Sequence, residues 1–285
     1  MSKIKENGMK IIFMIAACTS VLAVFLICLF LFANGIPAIG KIGPLKFLLG
    51  TTWKPSNNKF GILPMIVGSL YVTAGAIIVG VPIALFTSVF MARYCPKKIY
   101  RPLKSGIELM AGVPSIVYGF FGLILLVPLI RQIFGGTGTS MLAASLLLGM
   151  MILPTIIGPT ESALRSVPES YYEGSLALGA TKERSIFCVM LPAAKSGILA
   201  GIVLGIGRVI GETMAVIMVA GNQPRMPEGI FKGVRTMTAN IVLEMGYAAG
   251  LHREALIATG VVLFVFILMI NLAVSLLNRR TQYGD

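Results

Sequence analysis

Aspartate and histidine, which many hydrolytic enzymes need, are almost absent from the chain. Its only aspartate is Asp285, the last residue, and its only histidine is His252. These absences exclude an aspartyl dyad, an H-E-x-x-H zinc site and a Ser-His-Asp triad within the chain. The phosphate-binding pattern G-x-x-x-x-G-K-[ST] is also missing, so the chain should not hydrolyse ATP unaided. We therefore expect no catalytic residue, and we interpret His252 as an ordinary surface residue.

Charged residues are also scarce. Only 12% of the 285 residues are charged, whereas 56% are hydrophobic. This composition excludes an ordinary soluble domain and predicts an all-α, polytopic membrane protein.

Long apolar runs give the expected positions of the membrane spans. A helix needs about 20 apolar residues to cross the bilayer core. Six runs meet this requirement, near residues 11–33, 62–92, 107–131, 139–160, 195–220 and 255–278. The first run is longer than the roughly 7 to 15 apolar residues of a secretory signal, so we interpret it as a membrane helix.

Basic residues predict the orientation of these spans. With both termini in the cytoplasm, 14 Lys and Arg residues lie on the inner side and nine on the outer side, in line with the positive-inside rule. The outer basic residues have two interpretations, contact with lipid headgroups or attraction of an anionic solute or an acidic partner protein. The cysteines lie in the first run or on the inner side and imply neither a disulfide framework nor a metal site. They are Cys18, Cys28, Cys95 and Cys188.

A polar segment at 166–192 lies between the apolar runs and predicts two short helices joined at a glycine. Ser166 and Glu169 have the S-x-x-E spacing of a capping box. Gly179 suits the left-handed position just after a helix, and Thr181 can cap the helix that follows. We therefore expect a helix–glycine–helix unit that projects from the membrane.

The fifth apolar run carries a row of glycines that leads to two ionisable residues. Gly197, Gly201 and Gly205 recur every four residues and predict a helix face that another backbone can approach closely. We expect the same face to continue to Arg208 and Glu212. A charge at mid-membrane costs about 2.5 to 3.5 kcal/mol, so both groups need partners or water. At i,i+4 spacing they can satisfy each other.

Two explanations of Arg208 and Glu212 remain open. They could form a structural pair that only neutralises both charges, or they could line a polar path through the membrane. An arginine in such a path would suit an anion with a planar or tetrahedral array of oxygens. Glu212 would then orient the arginine or keep the resting path closed.

The polar segment resembles the EAA loop of ATP-binding cassette importer permeases. That family pattern is EAA, three residues, Gly, nine residues and Ile-x-Leu-Pro. This chain keeps the spacing, with Gly174 and Ser175 in place of the two alanines and Val189 in place of the isoleucine. The resemblance implies an ATPase-coupling loop at 161–194. The coupling residues that it singles out in this loop are Glu173, Gly174, Ser175, Leu178, Gly179, Ala180, Leu191 and Pro192, with Glu173 expected at the contact and Gly179 at the bend.

Further stretches resemble the C-type permease subunit of the phosphate importers in this family. They are Thr52-Trp53, Phe60 to Pro64, Val113 to Gly119 and Gly207 to Val216. The A-type subunit usually has Ala-Pro where this chain has Met214-Ala215. The resemblance implies a type I importer transmembrane domain of six helices, which translocates inorganic phosphate across a prokaryotic cell membrane.

The same resemblance implies a set of partners. They are an A-type permease subunit, a dimer of ATPase subunits that use ATP and Mg²⁺, and an extracytoplasmic phosphate-binding protein. We expect membrane lipid around the chain, no nucleic acid, and no cofactor bound by the chain itself, which would be a transport subunit rather than an enzyme. Residues 1–61 would hold the first transmembrane helix and an extracytoplasmic loop. Residues 62–278 would hold the other five helices and the coupling loop.

Other functions remain possible at this point. The EAA loop is shared across the family while substrates differ, so an importer for another oxyanion or a phosphonate is the leading alternative. A membrane enzyme or a non-transporting scaffold subunit is disfavoured, because the nucleophile, base and metal sets of an enzyme are missing.

Overall fold

The computed structural model describes residues 3–282, and the side chains of residues 7–273. The first half forms α1 (Lys3–Ile42), α2 (Pro44–Leu49), β1 (Trp53–Lys54), a 3-10 turn (Pro55–Asn57), β2 (Lys59–Phe60), α3 (Leu63–Val89), α4 (Lys97–Gly112), α5 (Ser115–Phe121) and α6 (Val127–Phe134). The second half forms α7 (Met141–Ser166), α8 (Glu169–Ala177), α9 (Lys182–Ser185), α10 (Leu191–Ala193), α11 (Lys195–Gly211), α12 (Met214–Val219), α13 (Met237–Met245) and α14 (Gly250–Gln282). π-helical turns extend α3 (Phe90–Tyr94), join α5 to α6 (Gly122–Leu126) and join α9 to α10 (Ile186–Met190).

Five helical stretches in the described part of the chain are long and apolar enough to cross a membrane. They are Asn7–Ile42, Leu63–Tyr94, Ser115–Phe134, Met141–Ser166 and Gly250–Ala273. A sixth span results if Lys182–Ala193 and Lys195–Gly211, which are bent by 71° relative to each other, are taken as one. The all-α, polytopic class is therefore confirmed.

The third span begins later than the apolar run indicates. Residues 107–112 belong to α4, and the span itself starts at Ser115. Val113 and Pro114 separate the two helices with extended backbone, at ψ 126° and 141°. The physical reason is Pro114, whose ring disfavours helical backbone at the residue before it.

The fifth span is broken and ends earlier than expected. α11 stops at Gly211, Glu212 is extended at φ −70° and ψ 134°, and the short α12 begins at Met214. The run at 195–220 is therefore two helices with a break, and an uninterrupted helix there is wrong. The other four expected spans overlap α1, α3, α7 and α14.

α7 is the centre of the bundle, because α3 and α11 pack along it. Its buried side chains form much of the core, including Leu147, Leu148, Ile152 and Ile156. α1 packs along α14 at the periphery, where Phe32 and Phe264 meet edge to face at 5.8 Å. Most of the α1 side chains point away from the protein, as expected of a helix that faces lipid.

The glycines of α11 lie against α7. A Cβ atom at Gly197 would collide with the Cβ atom of Ala163, and one at Gly201 would lie 3.2 Å from the carbonyl oxygen of Ile156. Gly205 faces the side chain of Ile156. Small residues thus let the two backbones approach closely, as helix pairs in membranes commonly do.

A small outer layer covers one end of the bundle. β1 and β2 pair antiparallel, with Trp53 opposite Phe60. Both aromatic rings are buried in a second core, together with Phe47 of α2, Met65 of α3 and Met237 of α13. This core joins the hairpin to the N-terminal ends of α3 and α14.

Candidate translocation site and coupling loop

The break between α11 and α12 holds both ionisable residues of the fifth span. Arg208 lies in the last turn of α11, where the helix dipole favours a cation. The carboxylate of Glu212 accepts hydrogen bonds from the backbone N–H groups of Thr213 at 3.0 Å and Ala215 at 3.3 Å. These N–H groups lie at the start of α12, where an anion is favoured. Each charge is thus stabilised by a helix end.

Arg208 and Glu212 do not pair with each other, and the expected i,i+4 contact is wrong. The two residues would be helical neighbours only if α11 continued past Gly211, where it ends. Among residues 7–273, whose side chains are described, no carboxylate lies within ion-pair distance of the Arg208 guanidinium.

Arg208 is exposed, although its spacing places it on the same face of α11 as the glycines. Gly201 and Gly205 are buried against α7, whereas Leu204 and Arg208 are exposed. The expected face therefore reaches Arg208 but is no longer buried there, and it does not continue to Glu212 because α11 ends at Gly211. The exposed Arg208 side chain is open to a second protein chain or to water.

α5 lies beside the break. Tyr118 is within electrostatic reach of Arg208. One turn of α5 packs tightly on α12, because a Cβ atom at Gly119 would lie 3.0 Å from the Cα atom of Ala215. A cavity of about 360 Å³ opens next to Tyr118 and is almost wholly apolar. Its lining residues are Met110, Val113, Val117, Tyr118, Phe121 and Met150.

α13 stabilises the backbone of the break. The hydroxyl of Thr238 donates to the carbonyl oxygen of Glu212 at 3.0 Å, and the hydroxyl of Thr213 donates to that of Gly211 at 3.2 Å. Sequence reasoning missed Thr238, because it lies 26 positions from Glu212 and no local pattern connects the two.

The coupling loop turns at Gly179, as the sequence indicates. α8 ends at Ala177 with Leu178 as its C-cap, and Gly179 has φ +84°. The N–H of Ala180 donates to the carbonyl of Ser175 at 3.1 Å, and the N–H of Gly179 donates to that of Leu176 at 2.9 Å. This pair of bonds is a Schellman motif. The second helix is capped as expected, since the Thr181 hydroxyl accepts from the N–H of Arg184 at 3.3 Å.

The capping box at Ser166 and Glu169 is wrong. Ser166 is the last residue of α7, and its hydroxyl donates back to the carbonyl of Ala163 at 2.8 Å. Glu169 instead binds Arg93 of the π-helical turn after α3, with N···O distances of 2.8 and 3.1 Å. α7 is longer than its apolar run, so Ser166 is used at a helix end rather than at a helix start.

Aromatic rings reinforce the attachment of the coupling loop to α3. Arg93 lies over the ring of Tyr172 at 5.5 Å, and Lys182 lies over the ring of Tyr94 at 4.5 Å. The opposite side of α8 faces outwards, and the Leu178 side chain is 91% exposed. Among the residues that the EAA resemblance singles out, the exposed ones are Glu173, Gly174, Leu178, Gly179 and Pro192, and the half-buried ones are Ser175, Ala180 and Leu191.

A polar cluster that sequence reasoning missed joins α4 to α7. The Tyr100 hydroxyl donates to the buried carboxylate of Glu161 at 2.6 Å, and Arg165 donates to the same oxygen at 2.7 Å. Arg165 also lies 4.6 Å from the centre of the Tyr100 ring. The hydrogen bond between Lys104 and the Tyr100 hydroxyl, with the charges of that tyrosine and Glu161, raises the pKa of the Lys104 amino group.

A second missed cluster lies in the outer layer around Glu244, which is 7% exposed. Its carboxylate meets Trp53 Nε1 at 2.9 Å, Arg235 at 2.6 Å and His252 Nε2 at 2.8 Å. His252 is half-buried and stacks near Phe60, so its interpretation as an ordinary surface residue is wrong. The cluster connects the hairpin, α13 and α14.

Comparison with known proteins agrees with this architecture. The chain is 37% identical over 280 residues to the probable ABC transporter permease protein YqgH of Bacillus subtilis, covering 94% of this chain and 90% of that protein. It is 33% identical over 261 residues to the phosphate transport system permease protein PstC of Mesorhizobium japonicum, covering 84% of this chain and 80% of that protein. The crystal structure of a bacterial alginate ABC transporter in complex with an alginate pentasaccharide-bound periplasmic protein contains a chain of the same fold, with a TM-score of 0.64, 15% identity and 99% coverage of both chains.

Residues 80–283 match the family described as binding-protein-dependent transport system inner membrane component. This range is more than half of the chain and includes the coupling loop, the break and the helices from α4 to α14. The chain therefore belongs to this family of multi-pass membrane transport proteins.

Proposed function

We propose that the chain is the permease subunit of an ATP-driven importer and forms half of a translocation path for inorganic phosphate. One observation carries the proposal. Arg208 is exposed on a membrane helix, beside a helix break, without a carboxylate within ion-pair distance among the described side chains. The similarity to the phosphate transport system permease protein of Mesorhizobium japonicum supports phosphate as the substrate.

The chemistry of Arg208 suits a passing oxyanion. A guanidinium presents its N–H donors in a planar fork that matches the oxygens of a phosphate group. An intramembrane arginine costs about 2.5 to 3.5 kcal/mol even on insertion scales, so an unpaired one indicates a functional position. Glu212 is held by the N–H groups at the start of α12 and therefore does not neutralise the arginine. It positions the break, and its charge is shielded from the anion.

The proposal includes orientation and partners. Both termini lie in the cytoplasm of a prokaryotic cell, and the outer layer around Trp53 faces the extracytoplasmic phosphate-binding protein. An A-type permease subunit covers the exposed face of α11 and completes the path. Two ATPase subunits bind ATP and Mg²⁺ and dock on the exposed side of α8, where Glu173 and Leu178 lie. Rigid-body movement of the coupling loop then switches the path between its inward-facing and outward-facing states.

Replacement of the two charged residues tests the path. The complete complex carrying Arg208→Met with Glu212→Gln should still assemble, because the glutamine oxygen can accept the two N–H bonds at the break. It should import almost no phosphate into proteoliposomes, because the anion no longer meets a guanidinium. Arg208→Lys keeps the charge without the planar fork, so we expect reduced but measurable import. Arg131→Met is the matched control, since Arg131 lies in the last turn of α6 away from the break. Near-parental import by the double variant would overturn the proposal.

The substrate can be tested separately. The name of the Bacillus subtilis relative states no substrate, so an importer for another oxyanion or a phosphonate is the second candidate. We expect unlabelled phosphate to inhibit import of radioactive phosphate, and sulfate and methylphosphonate to leave it unchanged at the same concentration. Stronger competition by either of these anions would assign the path to that class instead.

A further inference from the structure

We propose that α4 transmits movement of the coupling loop to the helix beside Arg208, and that Tyr100 is the positioning residue that attaches α4 for this purpose. This inference rests on the proposed transport function and adds a route by which its two sites communicate. The route consists of contacts between side chains, described below from the coupling loop inwards.

The first contact joins the coupling loop to the inner end of α3. Glu169, in the first turn of α8, binds Arg93 at 2.8 Å, and the Arg93 side chain is only 12% exposed. The Tyr172 ring of α8 lies 5.5 Å from the Arg93 guanidinium, so two contacts link α8 to the π-helical turn after α3. Charge-assisted bonds of this kind are stronger than bonds between neutral groups.

The second contact joins that turn to α7 and α4. Arg165 donates to the carbonyl oxygen of Met91 at 2.8 Å, two residues before Arg93, and to Glu161 at 2.7 Å. The carboxylate of Glu161 is buried and receives the Tyr100 hydroxyl at 2.6 Å. Four segments, namely the coupling loop and the inner ends of α3, α7 and α4, thus share one hydrogen-bonded cluster.

One face of α4 continues from this cluster along the core of the bundle. Tyr100, Leu103 and Ile107 recur at helical spacing and pack on the main core. The other side of α4 is exposed and basic, with Lys97, Lys98, Arg101 and Lys104.

The far end of α4 reaches the translocation site. The Tyr118 hydroxyl donates to the carbonyl of Met110 at 2.9 Å, across the extended residues Val113 and Pro114. Next to Tyr118, α5 packs on the helix that follows the break, because a Cβ atom at Gly119 would lie 3.0 Å from the Cα atom of Ala215. Cavities of about 690 and 360 Å³ both have Val113 in their walls, so the backbone there has space to bend. Movement of α4 is therefore passed to α5 through this one bond and a hinge.

Removal of single hydroxyl groups tests the route. In proteoliposomes containing the complete complex, we would measure phosphate import and ATP hydrolysis together. Tyr100→Phe keeps the ring under Arg165 and removes only the bonds of the hydroxyl to Glu161 and Lys104, so hydrolysis should stay within about twofold of the parent. Import per ATP should fall about tenfold, the factor that corresponds to 1.4 kcal/mol. Tyr71→Phe, the same change at an exposed tyrosine of α3, is the matched control and should retain the parental ratio.

Tyr118→Phe removes the bond at the other end of α4 and should lower the ratio of phosphate imported to ATP hydrolysed in the same way. Because both bonds belong to one route, the double variant should be no worse than the poorer single variant, whereas independent effects would multiply. A parental ratio in Tyr100→Phe, or multiplied effects, would overturn the inference. If the complex with Tyr100→Phe does not assemble, the test rests on Tyr118→Phe. An import-to-hydrolysis ratio equal to that of the parent in Tyr118→Phe would then overturn the inference. A parent complex that imports no phosphate would overturn the proposed function and this inference with it.

Discussion

Gly179 is the residue of the coupling loop at which a side chain would be most strained. Its φ of +84° lies in the left-handed region, while an added Cβ atom would meet nothing within 4 Å. The whole effect of Gly179→Val should therefore come from the backbone, at about 1 to 2 kcal/mol for an L-residue in this conformation.

We expect Gly179→Val to weaken ATPase attachment while the membrane helices remain inserted, as measured by the ATPase subunit retained on purified complex and by its hydrolysis rate. Gly158→Val is the control, because Gly158 is an exposed helical glycine of α7 with equal space around it. Equal retention and equal hydrolysis in Gly179→Val and the parent would show that the turn at Gly179 is not needed for docking.

Glu244 shows how a single buried carboxylate can hold an outer layer together. Three donors from three different segments converge on it, namely Trp53, Arg235 and His252. A buried charge is tolerated only when such partners satisfy it, so the position of each of these segments depends on the others.

At the scale of helices, the contact between α11 and α7 is set by small residues. Gly197→Val would bring a methyl-bearing carbon into collision with the Cβ atom of Ala163. Overpacking of this kind typically costs about 1 to 3 kcal/mol. We therefore expect a lower Tm for the purified permease in thermal unfolding. Gly207 lies in the same helix, and an added Cβ atom there would meet nothing within 4 Å. Gly207→Val should therefore lower Tm less. Equal Tm values for the two variants would contradict close packing at this seam.

The broken helix gives each charge in the membrane its own stabilisation. A continuous α11 would place Arg208 and Glu212 one turn apart, and they would neutralise each other. The break at Glu212 instead supplies a C-terminal dipole for the arginine and N–H donors for the glutamate. Arg208 is thereby left with its hydrogen-bonding capacity available.

At the scale of the whole molecule, the proposed orientation places Cys95 and Cys188 in the cytoplasm. Cys188 lies in the coupling loop, and Cys95 lies just before the basic residues of α4. Both segments are assigned to the inner side of the membrane. A membrane-impermeant maleimide added to intact cells should label neither residue, because it cannot reach the inner side. Ser56→Cys, at an exposed position of the outer turn, is the positive control and should label rapidly. Labelling of Cys95 or Cys188 at the rate of the control would reverse the orientation and exclude ATPase docking at α8.

Local chemistry was enough to identify the membrane class, most of the spans and the geometry at Gly179 and Thr181, because each depends on residues only a few positions apart. Pro114 also carried a signal for the end of α4 that the apolar run concealed. The arrangement around Arg208, the Tyr100 cluster and the Glu244 cluster depended on the tertiary structure. Trp53 and Glu244 are 191 positions apart, and Tyr100 and Glu161 are 61 apart. Hydrogen bonds between such residues form only after the helices have packed, so no periodicity or motif in the sequence records them.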